Sequence, residues 1–239
     1  MEQHTHIHIE PHHNSKGGSA LNSLRAAVLG ANDGIVSVSA VIVGVAGAGT
    51  PVSFVMTAGV AATLAGALSM AVGEYVSVST QRDTERAMLA KERNELATIP
   101  DQELEELTQI YEHKGLTRGT AEIVAKELTA HDAFMAHAEA ELGIDPNNLT
   151  NPWHAAWASG AAFFLGALLP LLAAYFAPEN MRIGVVFVSV GIALMITGSL
   201  SAHAGGAGKL KATIRVVGGG ILAMVVTYGV GKLFGISGI

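Results

Sequence analysis

Five long apolar blocks constrain the fold of this chain more than any other feature. They run over about 24–48, 52–80, 153–176, 183–202 and 214–234. Each is near or above the roughly 20 residues that a helix needs to cross a ~30 Å hydrocarbon core. Breaks such as Gly49-Thr50-Pro51 and the glycine-rich segment HAGGAGKLK separate the blocks. The sequence therefore predicts an all-α polytopic membrane protein with about five transmembrane helices.

The charged residues concentrate in an acidic window between the second and third blocks. Residues 81–152 hold fifteen of the 20 Asp and Glu residues of the chain, against seven Lys and Arg. Nucleic-acid binding needs clustered Lys and Arg, so the window argues against it and is better suited to cations. The absence of cysteine excludes disulfides, thiolate ligands and cysteine nucleophiles. No phosphate-binding loop or dinucleotide fingerprint appears, so we expect no organic cofactor and no enzyme activity.

Helix signals in the acidic window predict a three-helix domain inserted between spans 2 and 3. Residues 52–97 would form one helix about 69 Å long at ~1.5 Å per residue, which is longer than the bilayer core. Asp101 can cap a second helix that Gly115 ends, and a third helix follows. The predicted organisation is a His-rich tail over 1–20, transmembrane helices 1 and 2 over 21–80, the acidic domain over 81–152 and transmembrane helices 3 to 5 over 153–239.

The orientation follows from the Lys and Arg bias of the short loops. One side of the predicted membrane carries Lys16, Arg25, Lys209, Lys211 and Arg215, against Arg182 and Lys232 on the other. The N-terminus and residues 81–152 are therefore expected to be cytoplasmic, with the C-terminus outside. The polar N-terminal stretch has no pattern of a removable signal peptide.

Asp33 and Glu74 are the only carboxylates inside the predicted spans. Intramembrane ionisable residues are costly and usually functional, although Asp33 could instead be a hydrogen-bonded structural residue. Asn32 and Gly34 beside it are expected to weaken the helix and let backbone carbonyls face a cavity. Met70 lies four residues before Glu74, on the same helix face, and its thioether biases an oxygen site toward transition metals. These residues predict a cation path near the membrane centre.

Two glutamate pairs in the acidic window, Glu92-x-x-Glu95 and Glu103-x-x-Glu106, each share a helix face. Such pairs are often only solvated surface, but opposed pairs on adjacent helices repel each other unless a cation bridges them, as in carboxylate bundles. The last cytosolic helix can complete a metal site from Met135, His137, Glu139 and Glu141.

Five histidines crowd the N-terminal tail, at His4, His6, His8, His12 and His13. Neutral imidazole is a common metal ligand, so the tail is either a loose metal chelator or an idle extension.

The motifs ANDGIVS in the first span and SMAVGEYVS in the second, followed by E-x-x-E, seven residues and E-x-x-E, resemble the vacuolar iron transporter family. The resemblance covers nearly the whole chain from about Asn22. It implies a five-span protomer in a homodimer, with the path for Fe²⁺ and similar cations at the dimer interface. It also implies that metal export from the cytosol is coupled to proton entry. The short chain and its variant domain indicate a bacterial member in the cell inner membrane.

The resemblance also assigns roles to individual residues. Asp33 looks like the proton-coupled carboxylate of the path, Met70 like its thioether ligand, and Glu74 like the motif glutamate. The four glutamates of the two pairs look like ligands of the cytosolic domain. The remaining family ligands, a Met and a Glu just before Leu-Gly, fit in two ways: one alignment gives His137 and Glu141, and the other gives Met135 and Glu139.

The leading hypothesis is an exporter that exchanges cytosolic Fe²⁺, with Mn²⁺, Co²⁺, Ni²⁺ or Zn²⁺ as further substrates, for protons. Its partners would be a second copy of the chain and the lipid bilayer. One alternative is a membrane-anchored iron-binding or storage protein, against which the intramembrane carboxylates argue. Another is a ferroxidase-like protein, but the Glu-x-x-His motif of di-iron bundles is missing from the acidic window.

Overall fold

The computed structural model describes residues 15–204 and 208–237, with side chains described over 26–203 and 208–235. These residues form helices and connecting loops and contain no β-strand. The α-helices in this part of the chain are α1 (Ser15–Gly47), α2 (Val52–Thr98), α3 (Pro100–His113), α4 (Arg118–Ala140), α5 (Pro152–Phe176), α6 (Arg182–Ala204) and α7 (Lys209–Ser237). A short 3-10 helix, Glu179–Met181, precedes α6.

The prediction of an all-α protein with five spans is confirmed for the described residues. Five helical segments are long and apolar enough to cross a membrane: Ala26–Gly47, Val52–Thr98, Pro152–Phe176, Glu179–His203 and Lys209–Gly235. The apolar part of α2 lies in its N-terminal half, and the helix continues without a break into the acidic window. The prediction of one continuous helix over 52–97 therefore agrees with the observed bounds.

The helices divide between two compact units. The larger, called here the membrane unit, comprises the described residues of Ala20–Val76 and Pro152–Ile239. The smaller comprises Ser77–Asn151, called here the acidic unit, together with the described residues of Met1–Ser19. The core of the membrane unit is built from branched aliphatic side chains of α1, α2 and α6 with Phe163 and small residues of α5.

Glycines bring α1 into backbone contact with α5 and α7. A Cβ atom at Gly34 would collide with the carbonyl oxygen of Phe163, and one at Gly231 would collide with the carbonyl oxygen of Gly44. Helix association in lipid relies on such close van der Waals packing. We had expected Gly34 to weaken α1, but the helix is continuous from Ser15 to Gly47. That expectation is wrong because this glycine serves helix packing rather than a helix break.

The acidic unit consists of the C-terminal part of α2 with α3 and α4. Leu107 of α3 and Ala121 and Ala125 of α4 are fully buried. Gly115 has φ +103°, a left-handed conformation that suits glycine, and it follows the end of α3 as expected. The predicted cap was wrong: α3 begins at Pro100 with Ile99 at its N-cap, because proline is favoured in the first turn. Asp101 lies inside that turn instead.

One arginine joins α3 to α4 in the acidic unit. The guanidinium of Arg118, at the start of α4, donates to both carboxylate oxygens of Glu105 on α3, at 2.7 and 2.6 Å. It also bonds to Glu112 and Glu122. The hydrogen bonds from Arg118, and then the one from Gln109, lower the pKa of Glu105 to about 2. The contacts are exposed to solvent, so they align α3 with α4 while adding only a little stability.

Candidate metal centre and membrane cavity

Four side chains from three helices converge inside the acidic unit. Glu92 comes from α2, Glu103 from α3, and His137 and Glu141 from the end of α4. One donor atom from each lies within 4.8 Å of the other three. We call these four residues the donor cluster. A cluster of this size can surround a single cation with one imidazole nitrogen and three carboxylate oxygens.

The His137 ring is the centre of the donor cluster. Its Nδ1 atom lies 3.1 Å from Oε1 of Glu92, 3.5 Å from Oε2 of Glu141 and 3.6 Å from Oε2 of Glu103. The His137 side chain is completely buried, and those of Glu92 and Glu103 are nearly so. Burying so many acidic groups is unfavourable unless a partner neutralises them.

Three donor atoms of the cluster are buried without a hydrogen bond. Both ring nitrogens of His137 and Oε1 of Glu92 have no hydrogen-bond partner in the described part of the chain. Native proteins rarely leave buried polar atoms unpaired, so unpaired atoms that point at one another are a sign of a missing ligand. Burial, then the negative charges of Glu141 and Glu103, raise the pKa of Glu92 to about 7. Burial also raises the pKa of Glu103.

The other predicted ligands of the acidic unit lie outside the donor cluster. Glu95 is half-buried and pairs with Lys91 at 2.7 Å, while Glu106 and Glu139 are exposed. The Sδ atom of Met135 accepts a hydrogen bond from Asn147 at 3.8 Å. Of the two possible alignments, the structure brings His137 and Glu141 together, whereas Glu139 of the other pair is exposed.

A cavity in the membrane unit gathers most of the predicted path residues. Its volume is about 420 Å³, and it is lined by Asn32 and Asp33 of α1, Met70 of α2 and Arg215 of α7, among apolar neighbours. The Oδ1 atom of Asn32 is buried without a hydrogen-bond partner in the described residues. Glu74 is half-buried and does not line this cavity.

Sequence reasoning missed Arg215 as a cavity residue. It was counted only as one of the basic residues that set the membrane orientation. A usable signal was its position near the start of the last span, because α1 and α7 both begin on the predicted cytoplasmic side. Arg215 and Asp33 can line one cavity only if α1 and α7 pack side by side. The glycine contacts between α1 and α7 provide that packing. The histidines of the N-terminal tail lie outside the described residues.

Comparison with known proteins places this chain among transporters. The model of the VIT family matches residues 24–232. A vacuolar iron transporter of Acanthamoeba castellanii is 46% identical over 222 residues, covering 92% of this chain and 82% of that protein. A VIT-like transporter 1b of Glycine max is 35% identical, covering 90% and 77% of the two chains. Vacuolar iron transporter homolog 3 of Arabidopsis thaliana is 38% identical, covering 89% and 83%.

Proposed function

The chain belongs to the VIT family, and from that premise we propose that it moves iron(II) and related divalent metals out of the cytosol in exchange for protons. Family membership and five apolar helices support the coarser statement, an integral membrane protein that transports metal. The finer statement comprises the direction, the proton coupling and the substrates Fe²⁺, Mn²⁺, Co²⁺, Ni²⁺ and Zn²⁺.

The donor cluster is the observation that carries the proposal. Three carboxylates, two of them buried, meet one buried imidazole, and both ring nitrogens of His137 and Oε1 of Glu92 have no hydrogen-bond partner in the described chain. A divalent cation relieves the repulsion among the carboxylates and supplies a partner for Oε1 of Glu92 and for one ring nitrogen of His137. Imidazole with carboxylates suits borderline ions such as Fe²⁺ and Zn²⁺, and it also accepts Mn²⁺. In our proposal the acidic unit is cytosolic and captures the ion before transport.

The membrane cavity forms the path in this proposal. Asp33 supplies a carboxylate, Asn32 an unpaired amide oxygen and Met70 a thioether, which together offer an ion three weak ligands. Weak coordination favours passage because the ion must also leave. Asp33 carries the proton in the opposite direction: it binds metal as a carboxylate and releases it when protonated. Glu74 is the motif glutamate, and it acts beside the path rather than in the cavity.

A second copy of the chain closes the path in our proposal. Asp33 is exposed in the single protomer although it lies within an apolar span, and an ionised carboxylate facing lipid is unfavourable. A homodimer that places the two α1 helices against each other would shield both carboxylates. We propose a cell inner membrane of a bacterium, with the N-terminus and the acidic unit in the cytoplasm and the C-terminus outside.

Transport in proteoliposomes tests the proposal. Protein is reconstituted with a metal-quenched fluorophore inside the vesicles, and Fe²⁺ or Mn²⁺ is added under an imposed pH gradient. We expect quenching that depends on the gradient, that Asp33→Asn abolishes and that the exposed Asp83→Asn leaves intact. Transport by Asp33→Asn at the normal rate would contradict the proton coupling, and transport that ignores the gradient would contradict exchange.

The same vesicles, together with the protein in detergent, discriminate the two alternatives. A membrane-anchored storage protein would bind Mn²⁺ at the donor cluster but produce no quenching under any gradient. A ferroxidase-like protein would consume oxygen when Fe²⁺ is added to the full-length protein in detergent. The donor cluster has the ligands for one ion and no Glu-x-x-His pair, so we expect no oxygen consumption above that of a Glu92→Gln variant.

A further inference from the structure

Helix α4 is broken at one residue, Asp132, that lies five residues before His137 of the donor cluster. Asp132 has φ −160° and ψ 96°, an extended conformation inside a segment that is otherwise helical from Arg118 to Ala140. Its Oδ1 atom accepts a hydrogen bond from the backbone N–H of Met135 at 3.0 Å. This is the bond that an N-cap residue makes with the third residue of a helix. Asp132 therefore ends one helical segment and caps the next.

A straight α4 would present different residues to the interior. The buried face of its first segment is marked by Ala121 and Ala125, both fully buried. At about 100° per residue, an unbroken helix would place Glu139 at about 0° and Met135 at about 40° from Ala121. The same count places His137 about 160° away, on the opposite face, with Glu141 beside it. A regular helix would thus bury the Met135 and Glu139 pair.

The observed burial differs from that expectation at His137 and Glu139, while Met135 is half-buried. His137 and Ala138 are fully buried, whereas Glu139 is exposed. The change of direction at Asp132 therefore turns the second segment so that His137 faces Glu92 and Glu103, at 3.1 and 3.6 Å. The break accounts for which of the two alternative ligand pairs enters the cluster.

We propose that Asp132 is a positioning residue whose cap selects the imidazole-containing donor set in place of a thioether-containing one. The proposal deepens the proposed function, since it rests on the donor cluster as the metal centre. The position of the cap determines which ligand atoms the cluster offers to a metal ion. With Asp132 in place the cluster presents one imidazole nitrogen and three carboxylates, and without it the second segment of α4 turns Met135 and Glu139 inward.

The geometric part of the proposal can be tested without metal. The chain has no cysteine, so a single Glu139→Cys substitution gives one thiol for maleimide labelling of the full-length protein in detergent. We expect fast labelling in that variant and at least tenfold slower labelling when Asp132→Ala is added. In the converse pair, His137→Cys is slow and speeds up with Asp132→Ala. Unchanged rates in both pairs would overturn the proposal, whatever the protein does with metals.

The functional part is tested by Co²⁺ binding to the full-length protein, followed by visible absorption. We expect Asp132→Ala to weaken Co²⁺ binding about 10–100-fold, as loss of a residue that orients a ligand does. Asp132→Asn and Asp132→Ser keep a capping side chain and should stay within about threefold of the original. Asp145→Ala is the control for loss of an aspartate bond to a backbone N–H outside α4, since Asp145 accepts from the N–H of Asn147 at 2.9 Å and is not a member of the donor cluster.

A double substitution separates positioning from general loss of structure. Glu139→Gln alone should leave Co²⁺ affinity unchanged, because Glu139 is exposed. In the Asp132→Ala background it should weaken the residual binding several-fold, because Glu139 then faces the cluster. Equal losses for Asp132→Asn and Asp132→Ala would overturn the capping role. Co²⁺ binding that is absent in the original protein, together with the expected labelling rates, would reject the metal function but leave the geometry standing.

Discussion

The Nδ1 atom of His137 lies 3.1 Å from the Oε1 atom of Glu92, and neither atom has a hydrogen-bond partner in the described part of the chain. Two further carboxylates approach the same ring nitrogen within 3.6 Å. An isolated pair of this kind would rotate into hydrogen-bond geometry. Three acidic groups around one buried nitrogen are better explained by a shared cation, since a cation there gives Nδ1 of His137 and Oε1 of Glu92 a common partner.

The first prediction concerns the ligand at the centre of the cluster. His137→Ala removes the only nitrogen of the donor set, so we expect Co²⁺ or Mn²⁺ affinity to fall by more than the ~10–100-fold that loss of a ligand's supporting residue typically costs. Isothermal titration calorimetry of the full-length protein measures this affinity. His113→Ala, at an exposed position in the last turn of α3, is the control and should bind normally. Equal affinities in the two variants would show that the ring does not bind metal.

The second prediction concerns pH. Burial and neighbouring negative charges raise the pKa of Glu92 from its ordinary 4.5 to about 7, so metal must displace a proton at neutral pH. We expect affinity for Mn²⁺ to rise between pH 6 and pH 8, with proton release that an indicator dye can follow. The same raised pKa makes the metal-free protein lose stability as the pH rises from about 4.5 to 7. Saturating Mn²⁺ should abolish that loss.

Two results would contradict the pH account. The first is an affinity for Mn²⁺ that stays flat between pH 6 and pH 8. The second is a stability of the metal-free protein that rises between about pH 4.5 and pH 7. Glu92→Gln cannot ionise and serves as the control, since its remaining affinity should depend much less on pH.

The third prediction concerns the arginine of the membrane cavity. Arg215 carries a fixed positive charge beside Asp33 and Met70, so it repels a dication in the path. We expect Arg215→Gln to lower the KM for Mn²⁺ transport several-fold, while Arg215→Lys keeps the charge and stays near the original value. An unchanged or higher KM for the glutamine variant, with normal protein levels, would mean that the side chain does not face the ion.

The fourth prediction concerns the packing of α1 on α5. Gly34→Ala places a Cβ atom against the backbone carbonyl of Phe163, which cannot rotate away. We expect a loss of roughly 1–3 kcal/mol in stability, the usual cost of overpacking, seen as a lower melting temperature in detergent. Gly184→Ala on α6 meets open space and should be neutral or slightly stabilising. Equal melting temperatures would show that the two helices can separate without cost.

Much of the fold could be predicted because apolar block length is set by bilayer thickness and does not depend on distant residues. The start of α3 could not, because Pro100 in the first turn outweighed the capping tendency of Asp101. The role of Gly34 was also missed, since a glycine that permits backbone contact looks in sequence like one that breaks a helix. Only the position of Phe163 on the neighbouring helix separates the two cases.

The candidate site was predictable only in part. Helical spacing placed Glu92 and Glu95 on one face, but it could not tell which would turn inward, and Glu95 pairs with Lys91 instead. The choice between Glu139 and Glu141 depended on a break in α4 that periodicity cannot reveal. Asp132 gave a local hint, since aspartate favours helix N-caps, but it lies in a stretch whose pattern is helical throughout.

Anomalous scattering from crystals soaked in Mn²⁺ or Fe²⁺ tests the central claim most directly, since it locates the ion without assumptions about transport. We predict a peak bounded by the His137 ring and the carboxylates of Glu92, Glu103 and Glu141, and none beside Glu106 or Glu139. A His137→Ala crystal soaked in parallel should lose that peak. Crystals soaked at saturating metal with no anomalous peak at the donor cluster would contradict the account.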